Sequence, residues 1–358
     1  MHDTDIQTLH VENLDLSLHE PFGIATGAQT SLRNLLVRVT LRSGARGLGE
    51  AAPFEAVNGE TREAARASIE RVTAELCGRD ARDWRGLSAW LREHVPGVSS
   101  ARCAVEMAVL DALARHYGVP LWVMFGGAST VLVTDMTITT GTPDSARAAA
   151  ERIAREGYRT IKLKVGGVPL DDDIARLRAV ISAAPSCGLL LDANAAMPTV
   201  NDALALVSAA ERAGGRVVLF EQPMGARDLD AMSEITARST VPIAADESAG
   251  TLDDVLAIAH ARAAHVVNLK VMKSGVVQAL DMAHAARAHG LQLMIGGMVE
   301  SDVAMGLSAH LAAGLGGFAF VDLDTPLWLV GSPVKPGYAR QGPVLDVGGV
   351  AAGHGSEV

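Results

Sequence analysis

Cysteine is scarce in this 358-residue chain, which has only Cys77, Cys103 and Cys187 and no CxxC pair. Such widely spaced cysteines exclude a disulfide framework and a zinc site, so we interpret them as buried thiols in a reducing compartment. No stretch reaches the roughly 18 consecutive apolar residues of a membrane-spanning helix. The amino terminus has no basic segment followed by an apolar one, so no signal peptide is predicted and we expect a cytoplasmic protein.

Basic residues are also in the minority, with 31 Lys and Arg against 41 Asp and Glu, which gives a net charge of −10. This balance, without any Lys/Arg run, excludes a typical nucleic-acid or anionic-lipid partner. With 49% hydrophobic and 20% charged residues, the chain has enough apolar surface for a large core and is not disordered. Its length favours two domains or one barrel with an appendage.

The first part of the chain has the pattern of a small α+β unit. A strand is predicted over residues 34–41, and helical spacing is found over residues 60–76 and 101–116. Two loops rich in Gly, Ala and Thr, residues 20–30 and 49–59, are of the type that covers binding sites.

The rest of the chain shows a regular alternation of short strands and helices. Eight β-rich runs end near Thr140, Lys164, Asp192, Glu221, Asp246, Lys270, Met298 and Asp322. Since parallel strands joined by helices close into a barrel at this spacing, we predict a TIM-type barrel. A doubly wound sheet is the alternative, but no GxGxxG motif follows a strand.

Charged residues stand at the carboxyl ends of five successive predicted strands, namely Lys162 and Lys164, Asp192, Glu221, Asp246 and Lys270. A lone strand-end Asp is usually a helix cap, and a lone Lys usually reaches solvent. Five such ends in succession instead indicate one site, because the strand ends of a barrel meet at one face. Three carboxylates form an all-oxygen set suited to Mg²⁺, with lysines on opposite sides.

These residues resemble the enolase superfamily, specifically its muconate-lactonizing-enzyme subgroup. The matching segments are Lys162-x-Lys164, Asp192-x-Asn194, Glu221-Gln222-Pro223, Asp246-Glu247-Ser248 and Lys270. The resemblance implies a modified (β/α)7β TIM-type barrel with an N-terminal α+β capping domain. We expect residues 1–130 to form the capping domain, residues 131–325 the barrel, and residues 326–358 a tail that packs on the capping domain.

The pair Asp322 and Asp324 resembles the DxD motif of dipeptide epimerases, in which the aspartates hold the α-ammonium group of the substrate. The resemblance further implies roles for the other residues. The metal ligands are Asp192, Glu221 and Asp246, with Asn194 supporting them; the catalytic lysines are Lys162, Lys164 and Lys270; further substrate contacts are Thr137, Met298 and Glu300.

The expected activity is Mg²⁺-dependent inversion of the α-carbon of the carboxyl-terminal residue of an L,L-dipeptide, by proton transfer between two lysines. Members of the family that act on Ala-Glu carry an arginine in the first capping loop, whereas residues 21–27 here have glycine at that place. We therefore expect a hydrophobic or cationic side chain rather than Ala-Glu. Glu55 or Asp302 would be the partner of a cationic one.

Two other functions stay open. An o-succinylbenzoate synthase, N-acylamino acid racemase or cycloisomerase would share the metal site and lysines, and a non-catalytic carboxylate-binding barrel would need fewer of them. A substrate without an ammonium group has no use for Asp322 and Asp324, so these two residues discriminate the readings. We expect a dipeptide as the small-molecule partner, with no nucleic acid and no membrane, and self-association into a homo-oligomer stays open.

Overall fold

The structure is a computed structural model that describes residues 2–24, 27–55 and 59–358. Its strands are β1 (Ile6–Ile24), β2 (Gly27–Leu41), β3 (Arg46–Ala51), β4 (Val131–Val133), β5 (Met136–Ile138), β6 (Thr160–Lys164), β7 (Gly188–Asp192), β8 (Arg216–Glu221), β9 (Ile243–Ala245), β10 (Val266–Leu269), β11 (Gln292–Ile295), β12 (Phe318–Val321), β13 (Leu329–Val330), β14 (Ala339–Gln341) and β15 (Val344–Asp346).

The α-helices lie mostly between the strands of the second half. They are α1 (Arg62–Leu76), α2 (Trp84–His94), α3 (Ser99–Tyr117), α4 (Leu121–Met124), α5 (Pro143–Arg155), α6 (Leu170–Ala183), α7 (Val200–Arg212), α8 (Leu229–Arg238), α9 (Leu252–Ala261), α10 (Val271–Ser274), α11 (Val276–Ala288) and α12 (Asp302–Leu315). Two short 3₁₀ helices span Ala81–Asp83 and Thr325–Trp328. No helix in the described ranges combines the length and hydropathy that crossing a membrane requires.

The capping domain contains an antiparallel sheet whose two faces pack in two different hydrophobic cores. Its strands follow the order β13-β1-β2-β3. On β2, Leu35 and Val37 belong to the core formed with helices α1 to α3, whereas Leu32 and Leu36 belong to the core shared with the barrel. Because side chains alternate along a strand, the face that carries Leu36 also carries Asn34.

The barrel consists of eight parallel strands, which pair in chain order from β5 to β12. The backbone N–H of Asp135 donates to the carbonyl of Val321 at 3.0 Å, which brings the first and last strands together. Helices follow each of the first seven strands, but the eighth leads into the 3₁₀ helix Thr325–Trp328. The predicted (β/α)7β barrel with an α+β capping domain is therefore confirmed.

The carboxyl-terminal tail contacts the capping domain at several points. Strand β13 pairs with β1, with Leu329 opposite Leu18. Further along, the carbonyl of Gly353 accepts a hydrogen bond from the N–H of Leu121 at 2.8 Å, and the N–H of His354 donates to Asp111 at 2.8 Å. The division of the chain at residues 130 and 325 stays a prediction.

Two sequence-based expectations need correction. Cys77, at the end of α1, is exposed, so the prediction that all three cysteines are buried is wrong for this one. The predicted strand over residues 34–41 is the second half of β2, and the sequence analysis did not identify the 19-residue strand β1 with which it pairs. Strand β1 was missed because polar residues stand at many of its positions, exposed at the surface of the hairpin.

The capping sheet and helix α3 pack closely because strand β3 carries glycine at the contact. A Cβ atom at Gly49 would lie 2.0 Å from the carbonyl oxygen of Ala104. We expect Gly49→Ala to lower the free energy of unfolding by roughly 1–3 kcal/mol, since the added methyl overpacks the contact. Chemical denaturation measures this loss. Gly349→Ala is the control, because no atom lies within 4 Å of a Cβ there, and an equal loss in both variants would contradict the packing argument.

Candidate active site

A pocket lies at the carboxyl ends of the barrel strands, beneath the capping domain. It collects side chains from both domains. Its lining residues are Phe22, Ile24, Phe54, Thr137, Lys162, Lys164, Asn194, Glu247, Lys270, Gly297, Met298, Val299, Asp322, Asp324 and Thr325. The structure therefore brings the three predicted lysines and both aspartates of the DxD motif to one cavity.

Lys162 occupies the centre of the buried charges. Its Nζ lies 2.9 Å from Asp192 Oδ2, 2.8 Å from Glu221 Oε2 and 2.6 Å from Asp322 Oδ2. Only 1% of its side chain is exposed. Burial alone lowers the pKa of Lys162, but the surrounding carboxylates, led by Asp192, outweigh this effect and raise the pKa well above its usual value. Lys162 is therefore held as a cation.

The other two lysines each pair with one of the predicted metal ligands. Lys164 Nζ lies 2.7 Å from Asp192 Oδ2, and Lys270 Nζ lies 2.7 Å from Asp246 Oδ2. Lys164 ends strand β6, and Lys270 follows strand β10, four positions further in the eight-stranded sheet. The two ammonium groups therefore approach the pocket from opposite sides of the barrel.

The three carboxylates of the predicted metal site differ in protonation. Burial raises the pKa of Asp192, but the charges of Lys162 and Lys164 lower it more, so the net pKa lies below the usual value. The pKa of Asp246 is lowered in the same way by Lys270. The pKa of Glu221 rises to about 7, because it is buried and close to the charge of Asp192.

The donor set of these carboxylates fits a hard divalent cation such as Mg²⁺, because it offers oxygen and neither sulfur nor imidazole. Glu221 Oε2 accepts no hydrogen bond from the described residues and meets only the ammonium of Lys162. Among the described residues, no three acidic, histidine or cysteine side chains lie close enough together to form an ion-binding group. Lysine ammonium groups lie between the carboxylates.

The DxD motif divides into two different environments. Asp322 accepts a hydrogen bond from the ammonium group of Lys162. Asp324 accepts a 2.7 Å hydrogen bond from the backbone N–H of Thr137 through Oδ2, while its Oδ1 is buried and has no partner among the described residues. Burial and the charge of Asp322 raise the pKa of Asp324 to about 6. Asp324, which lines the pocket, therefore has one carboxylate oxygen without a hydrogen-bond partner among the described residues.

The remaining predicted residues take two different positions. Met298 and Asn194 line the pocket, and Asn194 donates through Nδ2 to Glu247 Oε1 at 3.1 Å and through its N–H to Asp192 at 3.0 Å. Glu300 does not line the pocket: its fully buried carboxyl accepts a 2.6 Å hydrogen bond from the N–H of Met298. Burial raises the pKa of Glu300 to about 8. The Glu300 carboxyl therefore supports the backbone of the pocket-lining residue Met298 from behind, mainly in its neutral form at pH 7.

The sequence analysis missed several residues that complete the site. Asn268 donates to Glu221 Oε1 at 2.7 Å, and Lys273 Nζ lies 2.6 Å from Asp246 Oδ1. Asn268 lies on strand β10, two positions before Lys270, which directly follows that strand, so the alternation of strand side chains gave a usable signal. Asp135, fully buried beside Asp322 at the start of the barrel, had no such signal because a lone Asp before a strand resembles a turn residue.

The first of the two segments predicted as loops is strand where it is described, because β1 ends at Ile24 and β2 begins at Gly27. The second begins within β3, which ends at Ala51. Residues 25–26 and 56–58 lie outside the described ranges. From the two segments, Phe22, Ile24 and Phe54 reach the pocket. Neither predicted partner of a cationic side chain lines it: Glu55 is exposed, and Asp302 accepts a 2.5 Å hydrogen bond from the hydroxyl of Tyr338.

Comparisons with known proteins give one consistent result. The family model for the mandelate racemase / muconate lactonizing enzyme N-terminal domain matches residues 6–126, and the enolase C-terminal domain-like model matches residues 144–358. The aromatic dipeptide epimerase of Herpetosiphon aurantiacus is 49% identical over 352 residues, which are 98% of each protein. A mandelate racemase/muconate lactonizing protein structure from the same organism has a TM-score of 0.97 at 49% identity, over 100% of this chain and 99% of that one.

A further solved structure carries ligands. The dipeptide epimerase from Enterococcus faecalis V583, complexed with Mg and the dipeptide L-Leu-L-Tyr, has a TM-score of 0.95 at 29% identity. The similarity covers 99% of this chain and 100% of that chain. The sequence and the fold are thus similar to those of proteins whose names state action on dipeptides.

The arrangement around Lys162 predicts a pH-dependent loss of stability when its charge is removed. In Lys162→Met, the clustered carboxylates lose their cation, so their folded-state pKa values rise and they bind protons more tightly in the folded than in the unfolded state. With a chelator present, we expect the variant to be about 3–5 kcal/mol less stable than the wild type at pH 8, and the difference to shrink toward pH 5.

Calorimetry at both pH values measures this difference. Lys335→Met is the matched control, because Lys335 is 79% exposed and pairs only with Glu357 at the surface. A loss that is the same at pH 5 and pH 8 would contradict the charge argument.

Proposed function

This chain belongs to the mandelate racemase/muconate lactonizing enzyme family of the enolase superfamily, as its motifs predicted, and from that premise we propose that it is a Mg²⁺-dependent dipeptide epimerase. It is an isomerase, since relatives that match almost its whole length are named epimerases. The proposed reaction inverts the α-carbon of the carboxyl-terminal residue of an L,L-dipeptide. The proposed side chain at that residue is hydrophobic, aromatic side chains included.

The observation that carries the proposal is Asp324 Oδ1, a buried oxygen with no hydrogen-bond partner in the described part of the chain. A buried carboxylate with a free acceptor and a pKa of about 6 is costly unless a cation meets it when substrate binds. The α-ammonium group of a dipeptide is such a cation, whereas the substrates of cycloisomerases and N-acylamino acid racemases lack it. The same atom therefore supports a dipeptide over the other activities considered for this subgroup.

The two lysines that face each other across the pocket support a two-base reaction. In one direction neutral Lys164 accepts the α-proton while the ammonium of Lys270 donates a proton to the opposite face, and in the reverse direction their roles exchange. The C–H bond broken on one face is replaced by a C–H bond on the other, so configuration inverts. Lys162, a cation between the carboxylates, would contact the carboxylate of the substrate in the proposed reaction.

We assign Asp192, Glu221 and Asp246 as the residues that would hold Mg²⁺, because they form an oxygen donor set at the ends of strands β7 and β8 and just after β9. When bound, the ion supplies a positive charge that stabilises the negative charge developing on the substrate carboxylate. Asn268 and Lys273 would then keep two of these carboxylates oriented through their hydrogen bonds.

The side-chain preference follows from the apolar lining. Phe22, Ile24, Phe54 and Val299 provide hydrophobic surface, and no arginine lies among the lining residues described. An acidic side chain would therefore have to be desolvated without a dedicated cation. Glu247 is the nearest candidate partner for a basic side chain, but it is hydrogen-bonded to Asn194 and burial raises its pKa to about 7. We therefore favour a hydrophobic side chain over a cationic one.

The experiment that tests the function is proton NMR of the enzyme with Mg²⁺ in D₂O and L-Ala-L-Xaa dipeptides, with Xaa as Phe, Leu, Lys or Glu. We expect loss of the α-proton signal of Xaa and formation of the L,D isomer, fastest with Phe or Leu. Turnover of an N-succinyl amino acid with no turnover of any dipeptide would overturn the proposal.

The same assay tests the role of Asp324. Asn lacks the negative charge that the ammonium group needs, so we expect Asp324→Asn to lower kcat/KM for dipeptides roughly 100-fold or more. In the wild type, kcat/KM should fall as the pH drops through about 6, where Asp324 takes up a proton. The exposed residue Asp144 provides the control variant Asp144→Asn. Unchanged activity of Asp324→Asn would contradict the assignment.

Removing one lysine should separate the two half-reactions. We expect Lys164→Ala and Lys270→Ala each to lose epimerisation by roughly 10²–10⁴-fold, the usual contribution of a proton-transfer group. One variant should still exchange the α-proton of the L,L isomer with D₂O, and the other that of the L,D isomer, each without inversion. Exchange of both isomers by a single variant would show that one lysine serves both faces.

A further inference from the structure

Behind the pocket wall formed by Gly297, Met298 and Val299, a carboxylate from the capping domain is completely buried. Glu50 lies on strand β3 and has no cationic partner among the ion pairs of the described residues. Burial raises its pKa, and its hydrogen bonds to the seventh barrel loop oppose that rise. A buried carboxyl group in this position needs a structural explanation.

The hydrogen bonds of Glu50 reach the residues directly after the pocket wall. Glu50 Oε1 accepts from the N–H of Ser301 at 2.9 Å, and Glu50 Oε2 accepts from the hydroxyl of Ser301 at 2.6 Å. The N–H of Ala304 adds a further donor to Oε2 at 3.2 Å. Since Ser301 is the N-cap of helix α12, the carboxylate also meets the positive end of a 14-residue helix.

Asn34 extends the same contact to the wall itself. Its Nδ2 donates to Glu50 Oε1 at 2.7 Å and to the carbonyl of Val299 at 3.0 Å. Both capping residues are buried, and they stand on neighbouring strands of the sheet, β2 and β3. The segment from Val299 to Ser301 is therefore held by two side chains from a different domain.

We propose that Glu50 and Asn34 are positioning residues that set the side-chain specificity of the enzyme, by fixing the backbone of the wall formed by Gly297, Met298 and Val299 against the capping domain. This inference rests on the proposed function for its substrate, but the contact itself does not. The two residues touch no substrate; they determine where Met298 and Val299 stand when the side chain of the substrate enters.

The first test is Glu50→Gln. Glutamine replaces one carboxylate oxygen by an amide NH₂ group, which would face the N–H of Ser301 or of Ala304. Two hydrogen-bond donors would then point at each other with no acceptor between them, so residues 297–299 must shift. We expect KM for L-Ala-L-Phe to rise about tenfold, the usual effect of losing hydrogen bonds to a charged group, with kcat changed less than threefold. The preference for Phe over Ala as the second residue should decrease in parallel.

Asp111→Asn is the matched control for a merely structural effect. Asp111 is an equally buried carboxylate of the capping domain, but it accepts hydrogen bonds from Leu48, from Arg115 and from His354 of the tail, and none from residues 297–304. We expect this variant to lose thermal stability with KM and side-chain preference unchanged. Equal changes of KM in the two variants, or none in Glu50→Gln, would overturn the proposal.

Hydrogen exchange measured by mass spectrometry separates this inference from the proposed function. Backbone amides of residues 297–304 should exchange faster in Glu50→Gln and not in Asp111→Asn, whether or not the wild type turns over dipeptides. Asn34→Ala removes only the bond to Val299 and the link to Glu50, so it carries the same test if Glu50→Gln fails to fold. Unchanged exchange in Asn34→Ala would then overturn the proposal. A wild-type enzyme that does not turn over dipeptides would contradict the proposed function but not the positioning role of Glu50 and Asn34.

Discussion

The burial of one lysine among carboxylates is the interaction on which the site depends. Asp192, Glu221 and Asp322 come from strands β7 and β8 and the end of β12, and all three meet the ammonium of Lys162 within 2.9 Å. Without that cation, three acidic groups would share a space closed to water. The cation comes from strand β6, which lies beside β7 in the barrel. The order of the strands therefore also determines whether the buried charges are balanced.

Much of the fold could be predicted because barrel strands repeat at a nearly constant spacing and end in charged residues. Lys162, Asp192 and Asp246 were located in this way, since a strand end is a local feature. Contacts between distant segments could not be predicted: Lys162 and Asp322 are 160 residues apart, and nothing local indicates that Glu300 turns behind the wall. Long-range packing decides these cases, and a single sequence does not display it.

The capping domain contributes to the barrel through buried carboxylates as well as through its loops. Glu50 accepts hydrogen bonds at the start of α12, and Glu106 accepts one from the N–H of Val277 at the start of α11. In both cases an acidic side chain satisfies backbone donors that a helix start leaves unpaired. The two domains are therefore joined by hydrogen bonds, which fix the relative position of their groups because they depend on direction. Apolar packing alone has no such directional dependence.

The pairing of β13 with β1 has a consequence for synthesis of the chain. Leu329, which lies opposite Leu18 of strand β1, is synthesised more than 300 residues after it. Strand β13 can pair with β1 only after the barrel strands have been synthesised, so this edge of the capping sheet is completed late in chain synthesis.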